Sequence, residues 1–440
     1  MLLKSGKLLL ICLAASLASA CSTPCDAPGK LCAPVSSITS APRVTPQSAA
    51  QAAPPPRKRE APPPEAETFA VMMPGTQTEL PAALPVSAAV PSAARAADGR
   101  PAYRIGLMLP LRSDSLGAPA EALRAGFMAA WERDRDGIAV TLIDTGDAPQ
   151  EVLPAYTAAL AQQDMIVGPL ARSAVTALAT SALVSKPTIA LNYPEGRGET
   201  LLPPQMLVMG LSIEDEARQT ADWAAREQPG AIAYILAGSA AWQRRSASAF
   251  AGQWERLSRS AKMADMTVLN GYLSDGELTQ LRTRLQAEPS ALLFVALEPD
   301  QARQLRVALS SPPLRGIPIY GTSSLNPGKA KLLPGPELDG VRLLDLPWQL
   351  QRDHPAVMVY PQPAGDERNA DLERLYALGI DAFRVAREIA RKQPSNFKLD
   401  GVTGQLEVRF GDGAASFERR ELPAVYKDGV PLPLSSATPP

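Results

Sequence analysis

From Tyr103 onward, short apolar runs alternate with stretches of helical spacing, and this rhythm restricts the fold more than any other feature of the chain. Residues 103–109 form an apolar run ending at Pro110, and Leu123, Phe127 and Trp131 then recur at four-residue intervals within 120–133, which predicts a strand followed by a helix. The pattern continues with a strand at 138–143, a helix at 152–160, a strand at 165–167, a helix at 173–183 and a strand at 188–191. It restarts with helices at 214–227, 240–257, 277–285 and 301–309, interleaved with strands at 231–236, 262–269, 291–297 and 317–320. Strands that are apolar along their whole length are covered on both faces, so the expected class is α/β with parallel sheets flanked by helices.

Residues 101–430 exceed what one hydrophobic core usually holds, so two Rossmann-like lobes are expected in place of one large sheet. A long helix at 372–391 and strands at 403–410 and 417–427 should return across the junction and complete the lobes, with the lobe of each left open. Residues 431–440 read as a disordered tail.

The material before this domain is different. Residues 22–101 hold sixteen prolines among alanine, serine and threonine, including Pro54-Pro55-Pro56 and Pro62-Pro63-Pro64. Such a composition buries too little to offset backbone ordering, so 21–100 is expected to be a disordered linker with extended polyproline stretches. Fully flexible, it would average roughly 50 Å end to end. Its Arg57-Lys58-Arg59 cluster is either a solvated charge run or a contact for an anionic surface.

Residues 1–20 carry Lys4 and Lys7, an apolar run from Leu8 to Leu17, then Ala18-Ser19-Ala20 directly before Cys21, the pattern of a bacterial lipoprotein signal peptide. Cleavage would leave Cys21 as the lipidated first residue, with several acyl chains, because one chain anchors weakly. An ordinary signal peptide cut before Cys21 is the alternative. Ser22, where aspartate would retain a lipoprotein at the inner membrane, points to the outer membrane, facing the periplasm. Cys12 leaves with the signal, and Cys25 and Cys32 are free to pair or not in an oxidising compartment.

Conventional catalytic constellations are missing. His354 is the one histidine, no Gly-x-Ser-x-Gly elbow or His-Glu-x-x-His occurs, and residues 101–440 contain no cysteine, so neither a serine triad nor a zinc site is expected. Neither Gly-x-Gly-x-x-Gly nor a Gly-rich phosphate loop is present, and no cofactor is implied. With 44 basic and 45 acidic residues and no long basic block, nucleic acid is not an expected partner. Polar residues do gather at strand exits: Arg112 and Ser113 after the first strand, Asp144 and Thr145 after the second, Gly168 and Pro169 after the third, Asn192 after the fourth and Thr322 in the second half. Ligands collect beyond strand carboxyl ends in open parallel sheets, and the 112–119 loop leads into a helix N-terminus suited to an anion. These eight positions are a candidate cleft for a small molecule, or simply turns and caps.

Several segments carry a family resemblance. They are Ile105-Gly-Leu-Met-Leu-Pro-Leu111, Asp144-Thr145, Ile166-Val-Gly-Pro-Leu170, Pro187 to Asn192, Gly210-Leu-Ser-Ile-Glu-Asp-Glu-Ala-Arg218 and Gln301-Ala-Arg303. Ile319-Tyr-Gly-Thr-Ser323, Leu338-Asp-Gly-Val341, Asp345-Leu-Pro-Trp348, Arg374-Leu-Tyr-Ala-Leu-Gly-Ile-Asp-Ala382 and Leu399-Asp-Gly-Val-Thr-Gly404 continue the series in order. Together they resemble the penicillin-binding protein activator lipoproteins. The resemblance implies a two-lobed fold of the type I periplasmic binding protein kind. It also implies a non-enzymatic outer-membrane lipoprotein that stimulates a bifunctional class A penicillin-binding protein in peptidoglycan synthesis. Two departures are visible. Arg112-Ser113 stands where Ser-Gly is common, and the proline-rich segment stands where long members carry a helical-repeat domain. The competing reading is a periplasmic solute-binding protein holding an amino acid or peptidoglycan fragment between the lobes.

Overall fold

The apolar run Tyr103–Leu109 becomes β1, near the middle of a parallel sheet, because both of its faces are covered. Ile105, Leu107 and Leu109 pack into one core cluster, while Met108 faces the other. The computed structural model describes residues 103–434 apart from 197–200, 289, 329–334, 364–368 and 392–394. The signal stretch 1–20, Cys21, the 21–100 linker and residues 435–440 lie outside the described residues. No helix among the described residues is long and apolar enough to cross a membrane.

In the first lobe β1 is joined by β2 (Ile138–Asp144), β3 (Met165–Val167), β4 (Thr188–Ala190) and β5 (Met206–Val208), all parallel, in the order β2-β1-β3-β4-β5. Helices α2 (Pro149–Leu160) and α3 (Arg172–Ala179) cover one face, and α1 (Gly117–Arg133) covers the other.

The second lobe begins with α4 (Ile213–Glu227) and continues with β6 (Ile232–Ala237), α5 (Ala241–Arg256) and β7 (Ala261–Asp265). A small hairpin of β8 (Val268–Leu269) and β9 (Tyr272–Leu273) follows, then α6 (Asp275–Gln286), β10 (Ala291–Ala296), α7 (Pro299–Ala308), β11 (Ile319–Gly321) and β12 (Arg342–Asp345). Strand β10 repeats the logic of β1. Leu293 and Val295 enter one core cluster, and Leu292, Phe294 and Ala296 the other.

The C-terminal part serves both lobes. Helix α8 (Pro347–Leu350) and the long α9 (Ala370–Ala390) return to the first core, where β13 (Asn396–Asp400), β14 (Gln405–Arg409) and β15 (Ser416–Arg420) form an antiparallel sheet packed on it. Strands β16 (Leu422–Lys427) and β17 (Val430–Pro433) then add antiparallel to β12, giving the second sheet the order β17-β16-β12-β11-β10-β6-β7.

Several expectations are revised. The strand expected at 262–269 is two pieces, because the chain leaves the sheet after Asp265 and reverses at Asn270-Gly271, both at positive φ. The strand expected at 417–427 divides at Glu421 between two different sheets. Helix α3 stops at Ala179, not 183, where Thr180 and Ser181 turn their hydroxyls back onto the Thr176 and Leu178 carbonyls. Strands β5, β9, β12, β13 and β17 were not expected as strands, and β17 occupies residues 431–433 of the expected tail.

Helices α1 and α9 cross in very close contact, and two glycines make this approach possible. A methyl group on Gly379 would collide with the Leu123 carbonyl oxygen, and one on Gly126 with that of Tyr376. Beside the crossing, Phe127 and Phe383 meet edge to face at 5.4 Å. Gly379→Ala should therefore destabilise the protein by roughly 1–3 kcal/mol through overpacking. Gly252→Ala in α5, where the added carbon meets no atom within 4 Å, should be neutral or stabilising by up to ~1 kcal/mol. Thermal denaturation of the two variants checks the contrast, and a Gly379→Ala protein as stable as its parent would disprove the close crossing.

Candidate functional site

The chain passes between the lobes three times: at 209–212 between β5 and α4, at Leu346 between β12 and α8, and at Glu421 between β15 and β16. Polar side chains that the fold buries gather at these crossings. Arg374, from the second turn of α9, is 7% exposed and forks onto the fully buried Asp345 at the end of β12. Its Nε donates to Asp345 Oδ1 at 3.1 Å and its Nη2 to Oδ2 at 2.9 Å. Nη2 also donates to the carbonyls of Ser323 and Asn326, each at 3.0 Å, and Nη1 to Asp371 at 2.9 Å. Asp345 accepts further bonds from Asn326 Nδ2 and Leu346 N–H, each at 2.8 Å. Burial opposes the Arg374 charge, but Asp345 outweighs it and raises its pKa above the ordinary value.

Two further ties close the junction. Fully buried Asp381, one heptad along α9, accepts from the Val402 and Thr403 N–H groups and the Thr403 hydroxyl at 2.7–3.1 Å, fixing the Gly401–Gly404 turn. The Val402 carbonyl of that turn accepts from Trp348 N–H at 3.0 Å. Arg419 reaches from β15 to the Gly210 carbonyl at 2.9 Å, linking two crossings directly.

Glu216 on α4 is buried and accepts from Ser323 N–H at 2.8 Å. Burial, with Asp345 nearby, pushes its pKa up to about 7. Glu421, at the third crossing, is raised well above the carboxylate range by burial and then by Glu216. Its backbone N–H donates to Gln219 on α4 at 3.2 Å.

Two cavities flank this network. One of about 370 Å³ is lined by Arg172 and Asn192 from the first lobe and by Ser212, Glu216 and Arg245 from the second. The other, of about 900 Å³, lies toward Trp242, Pro299 and Asn369. Ile213, Ser323, Asp371 and Arg374 line both.

Of the eight positions singled out from the sequence, Arg112, Asp144 and Thr145 meet at the first two strand exits, where Arg112 N–H donates to the Thr145 carbonyl at 3.3 Å, and Asn192 lines a cavity at the junction. Arg112 lies 3.1 Å from Glu151 and 3.7 Å from Asp144, half exposed. The Ser113 hydroxyl donates to Asp147 at 2.6 Å and accepts from Leu116 N–H at 3.1 Å. Buried Thr145 donates to the Leu109 carbonyl from its N–H and its hydroxyl. Gly168, in a cis peptide with Pro169, lies against the Met108 carbonyl, and the Pro169 carbonyl accepts from Leu191 N–H at 3.0 Å. Asn192 bridges the Leu170 carbonyl and Tyr193 N–H, and it does line the smaller cavity. Thr322 is fully buried, its hydroxyl 3.0 Å from that of Ser324. His354 is partly buried, with Nδ1 accepting from Ala356 N–H and Nε2 3.6 Å from Asp400. Among the described residues no group of three or more His, Cys, Asp and Glu side chains is placed to hold a metal ion.

Arg374, Asp345, Glu216 and Glu421 were not picked out as site residues. All but Glu421 lie within the segments that carried the family resemblance. A charged residue on an otherwise apolar helical stripe is the signal that would have found Arg374 and Asp381.

Two sheets of mainly parallel strands, clad by helices and joined by three crossings, define a two-lobed protein of the type I periplasmic-binding-protein kind. Residues 79–419 match the family described as "LppC putative lipoprotein", and the chain belongs to that family. The penicillin-binding protein activator LpoA of Yersinia pseudotuberculosis is 27% identical over 351 residues, covering 67% of this chain and 50% of that protein. LpoA of Haemophilus ducreyi is 26% identical over 311 residues, covering 69% and 50%. The chain thus spans about half the length of the curated relatives it matches. Among solved structures, one from Chromobacterium violaceum described in terms of branched-chain amino acid ABC transport is 35% identical, with a TM-score of 0.60, covering 74% of this chain and all of that one. The LpoA C-domain from Haemophilus influenzae, described as a regulator of PBP1A, shares the fold at 22% identity and a TM-score of 0.60, covering 76% of this chain and 100% of that chain.

Both buried glutamates hold a proton in the fold that the unfolded chain gives up. For Glu216 the associated stability is complete below its ordinary pKa near 4.5 and is lost as pH rises to about 7. Glu421, also raised well above the carboxylate range, contributes in the same direction, its stabilisation being lost as pH rises. Glu216→Gln keeps an acceptor for the Ser323 N–H and cannot ionise. Denaturant titrations across this range should show a shallower decline for the variant, and an unchanged profile would mean that Glu216 does not titrate there.

Proposed function

We propose that this chain is a non-catalytic regulator of peptidoglycan synthesis. In this reading it is an outer-membrane lipoprotein that faces the periplasm and activates a bifunctional class A penicillin-binding protein by contact. The observation that carries the reading is the match to the LppC family across 79–419, together with relatives named as penicillin-binding protein activators. The junction agrees with it. Most of the polar strand exits bond to their own lobe, and the crossings are tied by buried bonds, which suits a protein that presents a surface. Residues 1–20 serve as the signal, lipid on Cys21 as the anchor, and 21–100 as a tether between the membrane and the 101–430 domain.

A second reading, capture of an amino acid between the lobes, is favoured by the 370 Å³ cavity beside Asn192 and by the Chromobacterium violaceum relative. One pair of measurements separates the two. The purified protein should bind the class A penicillin-binding protein of its own organism and raise its turnover, while its melting temperature stays constant across an amino-acid panel. No binding up to high micromolar concentration, with a clear melting shift for one amino acid, would reverse the choice.

The anchor has its own test. Cys21→Ala should leave the protein unlipidated, as uncleaved precursor or soluble periplasmic protein, with the melting temperature of the domain unchanged. Fractionation that finds the variant still firmly in the outer membrane would rule out Cys21 as the attachment point.

A further inference from the structure

The β8–β9 hairpin contributes one face to the fold and leaves the other without an evident structural task. Asn270 (φ 50°) and Gly271 (φ 86°) close a two-residue turn of the kind that matches strand twist. The register pairs Val268 with Leu273 and Leu269 with Tyr272, so the two pairs point to opposite faces. The inward pair packs on the second lobe's core, with Leu273 only 3% exposed. The outward pair, Leu269 at 66% and Tyr272 at 65%, belongs to no core cluster.

That outward pair is held in place. The Gln304 amide of α7 accepts from Leu273 N–H at 2.7 Å and donates to its carbonyl at 2.9 Å. Glu277 of α6 accepts from the N–H and hydroxyl of Thr267 at 2.7 and 2.8 Å. An apolar pair on a pinned hairpin loses little freedom when covered, which favours its use in binding. Tyr and Trp are also the residues that most often dominate such contacts.

The hairpin tip adjoins charge. Gly271 lines the 900 Å³ cavity together with half-buried Trp242 and the carboxyls of Glu298, Asp300 and Asp371. Of the two arginines there, Arg374 is shared between Asp345 and Asp371, and Arg303 lies 3.9 Å from Asp300. The lip keeps an acidic excess. Burial first, then Asp371 and Asp300, raise the pKa of Glu298, as expected where carboxylates crowd.

We propose that Leu269, Tyr272 and Trp242, with the acidic lip beside them, form the surface that docks the penicillin-binding protein, taking a segment that carries a lysine or arginine next to an apolar side chain. This rests on the regulator reading and names its contact surface. The full lipoprotein in detergent is titrated against the purified synthase, with Leu142→Ser, on the exposed edge of the first lobe, as the control. Leu269→Ser with Tyr272→Ser should weaken binding at least tenfold at unchanged melting temperature, while Leu142→Ser binds like the parent. Asp300→Lys, which leaves the hairpin untouched and carries the test should the double variant misfold, should weaken binding at least threefold, with the difference shrinking at high salt. A folded hairpin variant or Asp300→Lys protein of parental affinity would overturn the surface and leave the regulator reading standing. A parent that binds no synthase would overturn both. Self-association abolished by the hairpin variant, with synthase affinity intact, would assign the surface to a second copy and overturn the proposal as well.

Discussion

Arg374 and Asp345 meet in a place where neither charge could stand alone. Taking both out of water costs several kcal/mol per ion, and their attraction offsets this only when the remaining donors and acceptors are also satisfied. The geometry meets that condition: two bonds between the pair, two backbone carbonyls and Asp371 around the guanidinium, and Asn326 and Leu346 on the carboxylate. Those partners come from β12, the 323–326 segment and α9. The pair can thus be complete only when the end of a second-lobe strand and a helix of the first core are correctly placed. Removing either member strands the other, so the constraint acts on the arrangement of the lobes more than on total stability.

The other buried polar groups extend the same logic. Asp381 leaves α9 on the face that carries Arg374, seven residues away, and organises the turn that receives Trp348. Arg419 ties the first crossing to the third. Glu216 and Glu421 lie beside this frame as carboxyls whose pKa burial raises, Glu216 to about 7. A carboxylic acid there can sit beside Asp345 without adding a second full charge to a site balanced around one guanidinium.

This explains what the sequence made legible and what it hid. Strands β1 and β3 were readable from end to end, because the stretch of a strand covered on both faces is apolar (in β1 all but exposed Arg104 at its start) and Pro110 or Gly168-Pro169 ends it. Strands β5, β13 and β17 lie at sheet edges; β5 spans only three residues, and β13 and β17 alternate exposed and half-buried positions in place of a continuous apolar run. The junction was hidden for another reason. Arg374 and Asp381 sit in a helix rich in charge, and only their place on its buried stripe distinguishes them from Arg387 or Glu388. At the strand exits the same polarity has local uses: Ser113 bonds Asp147 and Leu116, and Thr145 bonds Leu109.

In the proposed role of a regulator that acts by contact, the protein needs two properties that oppose each other. It must hold its own interior rigidly, and it must leave some apolar surface uncovered without collapsing onto it or aggregating through it. The second lobe separates these demands within one hairpin. Val268 and Leu273 go to the core, and Leu269 and Tyr272 go to solvent, with the turn and the Gln304 and Glu277 bonds preventing the register slip that would exchange the pairs. The acidic side chains at the adjoining lip add repulsion between like copies, while a cationic partner meets attraction there. Selectivity on such a surface comes from charge placed beside the apolar pair, and the apolar pair supplies the burial that charge alone cannot.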